Sequence, residues 1–173
     1  GVEPGNGIDF ETGQQVPLFE LAERNRARGV DGVILAGERY GGGSSRDWAA
    51  KGTAMIGARA VIASSFERIH RTNLIGMGVL PLRAPSNIVT ADLHIDPTTL
   101  IDIELSGAQL TKRCRFAVTL ISPDREPVSF DAVAQIETDL EIELLLSGGF
   151  LPLILAKAQS DAPTAKEKAI PGN

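Results

Sequence analysis

The feature that most constrains this fold is a glycine-rich turn between an apolar strand and a helix. Residues 33–37, Val-Ile-Leu-Ala-Gly, form a short apolar run bounded by glycine, as buried strands do. Residues 40–52 follow with the sequence Tyr-Gly-Gly-Gly-Ser-Ser-Arg-Asp-Trp-Ala-Ala-Lys-Gly, and positions 48–56 are typical of a helix. The sequence therefore predicts a strand, a turn and a helix N-terminus in direct succession.

The composition of this turn suits a small anion. It contains three consecutive glycines, Gly41, Gly42 and Gly43. Glycine adopts positive φ without steric cost, and it lets an anion approach the backbone because it has no Cβ. The helix start offers unpaired NH groups, Ser44 or Ser45 can cap it, and the guanidinium of Arg46 can pair with a carboxylate. We therefore predict an anion-binding turn, although on the pattern alone a plain helix cap is the commoner use.

Motif spacing and composition argue against several classes of function. The turn lacks the spacing of a P-loop, a dinucleotide fingerprint and a nucleophile elbow. The net charge of −5 indicates no basic surface for nucleic acid, and no apolar run approaches the roughly 20 residues that span a bilayer. The only cysteine, Cys114, cannot form an internal disulfide or hold an iron–sulfur cluster by itself. A lone cysteine also fits a reducing, cytoplasmic location.

Hydrophobic patterns predict an α/β domain with two strand–crossover–strand units. The predicted strands cover 33–36, 60–63 and 79–82. The predicted helices cover 17–28, the residues after Ser45, and 66–74, where Ser64 or Ser65 is the expected cap. Such units favour parallel strands with the helices packed outside them.

After Arg83 the pattern changes to alternation. It predicts strands over 101–105 and 115–121, a strand with a helix as the alternative over 140–146, and a terminal helix over 150–158. We expect an N-terminal arm over 1–15, one domain over 16–159 and an unpacked tail over 160–173. A chain of 173 residues is long enough for one domain with a substantial core.

Three motifs resemble the C-terminal swivel domain of aconitases. They are residues 40–52 as given above, the segment 60–71 with Ala-Val-Ile-Ala-x-Ser-Phe-Glu-Arg-Ile-His-Arg, and the segment 73–82 with Asn-Leu-Ile-Gly-Met-Gly-Val-Leu-Pro-Leu. The Asp-Trp-Ala-Ala-Lys-Gly motif is similar to that of the bacterial aconitase A and iron-regulatory-protein branch. The resemblance is specific over 33–82 and thinner as far as about Lys157.

The resemblance implies an aconitase-like swivel domain, a mixed β-barrel flanked by helices, which closes over a catalytic core made elsewhere. Aconitases interconvert citrate and isocitrate through cis-aconitate, so the implied substrate is a small tricarboxylate. Ser44 matches the family's catalytic base, Ser45 a substrate-contacting position and Arg46 a carboxylate clamp. The resemblance also implies a [4Fe–4S] cluster in the core domains, in the same polypeptide or a separate subunit. We therefore expect this chain alone to be inactive.

The chain also departs from the family pattern. The family's upstream substrate-binding arginine has no match in this chain. Ser147-Gly148-Gly149 stands where the family commonly has a His-Gly-Gly motif, and Arg83-Ala84-Pro85 differs from the residues that usually follow Leu-Pro-Leu. Two alternatives stay open: a 2-methylisocitrate dehydratase, which has nearly the same serine loop, and an RNA-binding module of the iron-regulatory kind. The acidic net charge counts against the second. The start, Gly-Val-Glu-Pro-Gly-Asn-Gly, is neither a signal peptide nor an initiator methionine, so we expect a longer polypeptide.

Four other residues are expected to have structural roles. We expect Trp48 to pack under the serine turn and Cys114 to be an unreactive strand residue. His70 is expected to be structural or at an interface, since the only other histidine is His94 and no carboxylate pair has ligand spacing. Lys51 is either a solvated helix residue or a contact to a partner domain.

Overall fold

The structure is a computed structural model that describes residues 2–43, 46–89, 93, 95–107 and 109–160, except the side chains of 46, 87 and 89. Its helices are α1 (Leu18–Arg28), α2 (Arg46–Met55), α3 (Arg68–Gly76), α4 (Ser86–Val89), α5 (Asp139–Ser147) and α6 (Phe150–Ser160). Its strands are β1 (Asn6–Ile8), β2 (Gln15–Pro17), β3 (Gly32–Ala36), β4 (Ala58–Ala63), β5 (Leu80–Arg83), β6 (Leu100–Leu105), β7 (Arg115–Ile121) and β8 (Val128–Ala134).

Six of these strands form one mixed, curled sheet in the order β3-β4-β5-β8-β7-β6. The β3–β4 and β4–β5 pairs are parallel, whereas β5–β8, β8–β7 and β7–β6 are antiparallel. The parallel half is built from two strand–helix–strand units through α2 and α3, which confirms the predicted α/β arrangement. Consequently the carboxyl ends of β3, β4 and β5 meet at one edge of the sheet.

Strand β4 is buried on both faces. On one face Ile62 packs with Leu82 and Phe116 in the main core. On the other face Val61 packs with Ala50 of α2 and Leu74 of α3. This two-sided burial explains why the strand is an unbroken apolar run in the sequence.

The strand predicted over 140–146 is wrong, because these residues form helix α5. The hydroxyl of Thr138 accepts from the NH of Glu141 at 3.1 Å, and the carboxylate of Glu141 accepts from the NH of Thr138 at 3.2 Å. This capping box starts a helix just before the leucine-rich segment. Leu144 then packs against Ile75 and Leu153. The alternation of Glu and Leu was therefore a chance feature of a helix with one buried face.

The predicted cap of α3 is also wrong. The helix begins at Arg68, and Glu67 is its N-cap, since the Glu67 carboxylate accepts from the NH groups of Ile69 (2.9 Å) and His70 (3.3 Å). Ser64 and Ser65 precede this start, because the chain stays extended as far as Phe66, which forms a parallel bridge with Tyr40. Strand β8 and the hairpin β1–β2 were not predicted at all.

The β1–β2 hairpin is tied to α1 by a buried carboxylate. Asp9 is fully buried, and it accepts from Arg28 at 3.1 Å, from Arg24 at 2.9 Å and from the NH of Glu11 at 3.0 Å. The hydrogen bonds from Arg28 and then Arg24 hold the pKa of Asp9 well below its ordinary range. The segment expected to be an N-terminal arm therefore contains an ordered hairpin. The tail expected beyond Ser160 lies outside the described residues.

A buried ion pair joins α3 to α5. Arg71 donates to a carboxylate oxygen of Glu141 at 2.9 Å and to the backbone carbonyl of Gln135 at 2.6 Å. The side chains of Arg71 and Glu141 are only 10% and 9% exposed. Since the same Glu141 completes the capping box of α5, this pair sets both the start of α5 and its position against α3.

Candidate active site

The glycine turn is held at the carboxyl edge of the parallel strands by backbone hydrogen bonds. The NH of Tyr40 donates to the carbonyl of Ser65 at 3.0 Å, and the NH of Glu67 donates to the carbonyl of Tyr40 at 2.9 Å. Nearer the strands, the NH of Ser64 donates to the carbonyl of Gly37 at 3.2 Å. The entry to the turn is therefore an extension of the β3–β4 pairing, and this fixes where the chain leaves the sheet.

Gly41 is the residue that sets the shape of the turn. It has a φ of +83°, and a Cβ built there would lie 2.2 Å from Cγ and Cδ2 of the His70 ring. His70 is 1% exposed, and its ring contacts that of Tyr40 with a centroid distance of 5.2 Å. The turn thus lies directly on a buried histidine, in agreement with the structural role predicted for His70. Only glycine fits this position, because any side chain meets both a steric and a dihedral cost.

The other two glycines do not need positive φ. The NH of Gly42 donates to the carbonyl of Arg39 at 3.1 Å, which closes a tight turn, and a Cβ at Gly43 would meet open space. Arg39 itself has a φ of +53°, and its NH donates to Oγ of Ser65 at 2.8 Å. Helix α2 begins at Arg46, only three positions after Gly43. A glycine turn followed at once by a helix start is a general anion-binding arrangement.

The structure does not describe Ser44 and Ser45, nor the side chain of Arg46. Their roles as base, substrate contact and clamp therefore stay predictions. Asp47, in the first turn of α2, carries a negative charge that the helix dipole stabilises.

The prediction for Trp48 is wrong. Its side chain is 72% exposed, and its ring lies over Nζ of Lys51 at 4.9 Å. The buried face of α2 is formed by Ala50 together with Thr53 and Ala54, which follow it at helical spacing. Trp48 is two positions before Ala50, so the helical rotation of about 100° per residue directs it to the opposite side.

Cys114 also differs from prediction. It was expected within a strand, but it is a half-buried residue just before β7.

The described residues of this chain do not fit a metal cluster. Cys114 is its only cysteine, and among the described residues no three His, Cys, Asp or Glu side chains converge as metal ligands. An iron–sulfur cluster is held mainly by several thiolates. In addition, no helix in the described part of the chain has the length and apolar character to cross a membrane.

A curled mixed sheet flanked by helices, with a glycine turn leading into a helix at the edge of its parallel half, defines a swivel-type α/β domain. The sequence of residues 1–87 matches the family model "Aconitase C-terminal domain". The chain therefore belongs to the aconitase family, as its C-terminal domain.

Individual relatives agree with this family. The chain is 45% identical over 152 residues to aconitate hydratase A of Corynebacterium diphtheriae, with 85% of this chain and 16% of that protein covered. It is 42% identical over 155 residues to phosphinomethylmalate isomerase of Streptomyces viridochromogenes, with 90% of this chain and 17% of that protein covered. The chain thus spans about a sixth of the length of these relatives.

A solved structure shows the same fold. The crystal structure of 3-isopropylmalate dehydratase from Methanocaldococcus jannaschii matches with a TM-score of 0.50 and 25% identity, over 85% of this chain and 82% of that one. The predicted swivel fold is therefore confirmed. That neighbour is a chain of similar length, whereas the relatives named above are several times longer.

Proposed function

We propose that this chain is the swivel domain of an aconitate hydratase, a hydro-lyase that interconverts citrate and isocitrate through cis-aconitate. The observation that carries the proposal is the glycine turn at Gly41, which is held over His70 and leads directly into α2. The similarity to aconitate hydratase A supports the choice of reaction. We take residues 16–159, together with the β1–β2 hairpin that packs on α1, as the domain and expect a cytoplasmic protein.

In this proposal Ser44 removes the proton from the carbon beside a substrate carboxylate. A serine hydroxyl is a poor base, so its Oγ can accept that proton only if the alkoxide form is stabilised. Backbone NH groups of the turn, the N-terminus of α2 and the Arg46 guanidinium are the groups available for this stabilisation. Ser45 and Arg46 hold the carboxylate and so keep the carbon within reach of Ser44.

A [4Fe–4S] cluster, when bound in separate core domains, supplies a Lewis acid for the substrate hydroxyl. This chain has a single cysteine, and its described residues include no group of metal ligands, so we expect no turnover from the 173-residue chain alone, even after cluster reconstitution. Cis-aconitate formation by the isolated chain is the measurement that checks this expectation.

An exposed apolar surface supports a core domain as the partner. A groove of about 740 Å³ lies between the end of α3 and helices α5 and α6. Around it are large apolar side chains exposed to solvent, namely Met77, Leu140, Phe150 and Leu151. Contiguous apolar surface of this kind is typical of an interaction site. The relatives contain several times more chain than this domain, which supports a core fused to it, and a separate subunit remains the alternative.

The small tricarboxylate is the substrate class that we favour. The relatives include a phosphinomethylmalate isomerase, so the substrate panel must extend beyond citrate. It should include 2-methylisocitrate, the substrate of the runner-up dehydratase. We do not favour an RNA-binding module, since the net charge is −5.

The decisive variants are Ser44→Ala and Arg46→Lys in the protein complete with its core domains. If Ser44 is the base, Ser44→Ala lowers kcat by about 10²–10⁴, the range for a positioned acid or base, while KM stays close to that of the parent. Arg46→Lys keeps the charge but loses bidentate geometry, so it raises KM, on the scale of about 1.5–3 kcal/mol for a charged hydrogen bond.

The stability of the Ser44→Ala variant provides the control. A helix cap is worth about 1 kcal/mol, and its loss lowers the melting temperature without slowing the chemistry. A Ser44→Ala protein with a lower melting temperature and nearly normal turnover would therefore identify Ser44 as a cap and remove it from the mechanism.

A further inference from the structure

A polar cleft lies at the carboxyl ends of β4 and β5, two of the parallel strands. Its volume is about 340 Å³, and its polar lining comes from Ser64, Arg83, Ser86, Arg115 and Asp131. This volume is at the small end of the range for ligand sites. None of the described lining residues has a role in the proposed mechanism.

Strand register brings two arginines of this cleft onto one face of the sheet. Arg83 of β5 is paired with Val133 of β8, and Val133 is paired with Arg115 of β7. Directly paired residues point to the same face, so the two arginines flank Val133 with their Cα atoms about 10 Å apart. Two guanidinium groups at this spacing can approach one small ligand from both sides.

This face of the sheet is the one that α2 covers. Arg83 is paired with Ala63 of β4. Ala63 is two positions after Val61, so both point to the same face of the sheet. Val61 packs against Ala50 of α2. The cleft and the helix that follows the glycine turn therefore share a face as well as an edge of the sheet. The opposite face carries the main core, where Leu82 is packed.

The charges in the cleft do not cancel. Nη1 of Arg115 lies 3.8 Å from Oδ2 of Asp131, and both side chains are about two-thirds exposed, so this pair is loose. Arg83 has no ion pair to any residue in the described ranges. The described lining thus carries two positive charges and one negative charge. Arginine recognises carboxylates and phosphates through paired hydrogen bonds.

Ser64 adds a buried hydroxyl to this positive lining. The residue is 7% exposed, and its Oγ has no hydrogen-bond partner among the described residues. An unpaired buried hydroxyl destabilises a fold, so its presence needs an explanation. Because this Oγ is itself buried, a ligand oxygen in the cleft would satisfy it once the Ser64 side chain rotates towards the cleft.

We propose that the cleft formed by Ser64, Arg83 and Arg115 binds a small oxyanion with at least two negative charges. The oxyanion groups are those of a polycarboxylate or of phosphate, which present the same chemistry to two guanidinium groups and a hydroxyl. This proposal uses other residues than Ser44, Ser45 and Arg46 and does not rest on the proposed function.

The test is a titration of the 173-residue chain with citrate and, separately, with inorganic phosphate at low ionic strength, followed by calorimetry. We expect saturable binding, and the probe that binds more tightly identifies the source of the oxyanion. Arg83→Gln and Arg115→Gln each weaken it by about tenfold or more, since each removes charged hydrogen bonds. Ser64→Ala also weakens binding, but it leaves the fold as stable as the parent or more so, because it removes the unpaired hydroxyl.

Arg125→Gln is the matched control. Arg125 is an exposed arginine in the β7–β8 turn, at the other end of β7 from Arg115, and the change removes the same net charge. We expect its affinity to stay within about twofold of the parent, because a distant exposed charge acts weakly. The proposal is overturned if neither probe binds saturably, if Arg125→Gln costs as much as Arg83→Gln, or if Ser64→Ala leaves binding unchanged.

Discussion

Replacing Gly41 with alanine tests the geometry on which the glycine turn depends. The new Cβ would lie 2.2 Å from Cγ and Cδ2 of His70, where carbon atoms normally approach to about 3.5–4.0 Å. The ring cannot retreat easily, because His70 is 1% exposed and Tyr40 packs against it. The backbone φ of +83° adds a second cost for a residue with a side chain.

The two costs can be added to give an expected magnitude. A left-handed conformation costs an alanine about 1–2 kcal/mol. Forcing an extra carbon into a packed region costs about 1–3 kcal/mol. We therefore expect Gly41→Ala to lower the free energy of unfolding by about 2–5 kcal/mol, measured by urea denaturation of the 173-residue chain with circular dichroism.

Gly52→Ala is the control, and it should have the opposite sign. Gly52 lies inside α2, and a Cβ there would meet open space. Alanine is better than glycine in a helix by about 0.8–1 kcal/mol, so this variant should be more stable than the parent. A His70→Ala background removes the clash with the ring but keeps the Cβ of residue 70, which lies 2.4 Å from the new Cβ, so Gly41→Ala should then cost less than in the parent chain but more than the dihedral part alone. The reasoning fails if Gly41→Ala costs less than about 1 kcal/mol in the parent chain.

Two further variants test the buried charges. Arg28 and Arg24 lower the pKa of Asp9 from 3.8, so its stabilisation is present above about pH 3.8 and is lost as the pH falls towards the lower folded-state value. Asp9→Asn should therefore lower the melting temperature at pH 7, and its melting temperature should differ less from that of the parent below about pH 3.8. The same change at the exposed Asp124 should leave the melting temperature nearly unchanged at both pH values. A deficit of the Asp9→Asn variant that is equally large in acid would refute the assignment to the Asp9 carboxylate. Arg71→Ala leaves Glu141 buried without its guanidinium partner and should cost about 3–5 kcal/mol in urea denaturation, against a small change for the exposed Arg68→Ala. Equal losses from these two arginine variants would mean that the Arg71–Glu141 pair contributes nothing specific.

The parallel half of the fold was predictable because its signals are local. Each predicted element of this half is specified by residues within it or next to it in the sequence. Examples are the apolar runs at 33–36 and 60–63, which form strands, and the glycines that follow the first of them. The sequence motifs in the same region identified the family. The antiparallel half was less predictable, and β8 was missed although Phe130, Ala132 and Ala134 alternate towards the core.

The error at 140–146 has a different cause. Alternating Glu and Leu fits a strand as well as a helix over seven residues, and the capping box at Thr138 lies outside that window. The burial of Glu141 then depends on Arg71, which is 70 positions away in the sequence. No local pattern contains that contact.

The sequence by itself determined the two strand–helix–strand units, the glycine turn before α2 and the aconitase family, since these depend on residues close together in the chain. Tertiary structure decided which residues meet. His70 lies under Gly41, Trp48 is exposed beside Lys51, and Arg83 and Arg115 share a face through Val133. The physical reason is that strand register and helix packing are set by contacts between distant segments, and such contacts leave no periodic signal in the segments themselves.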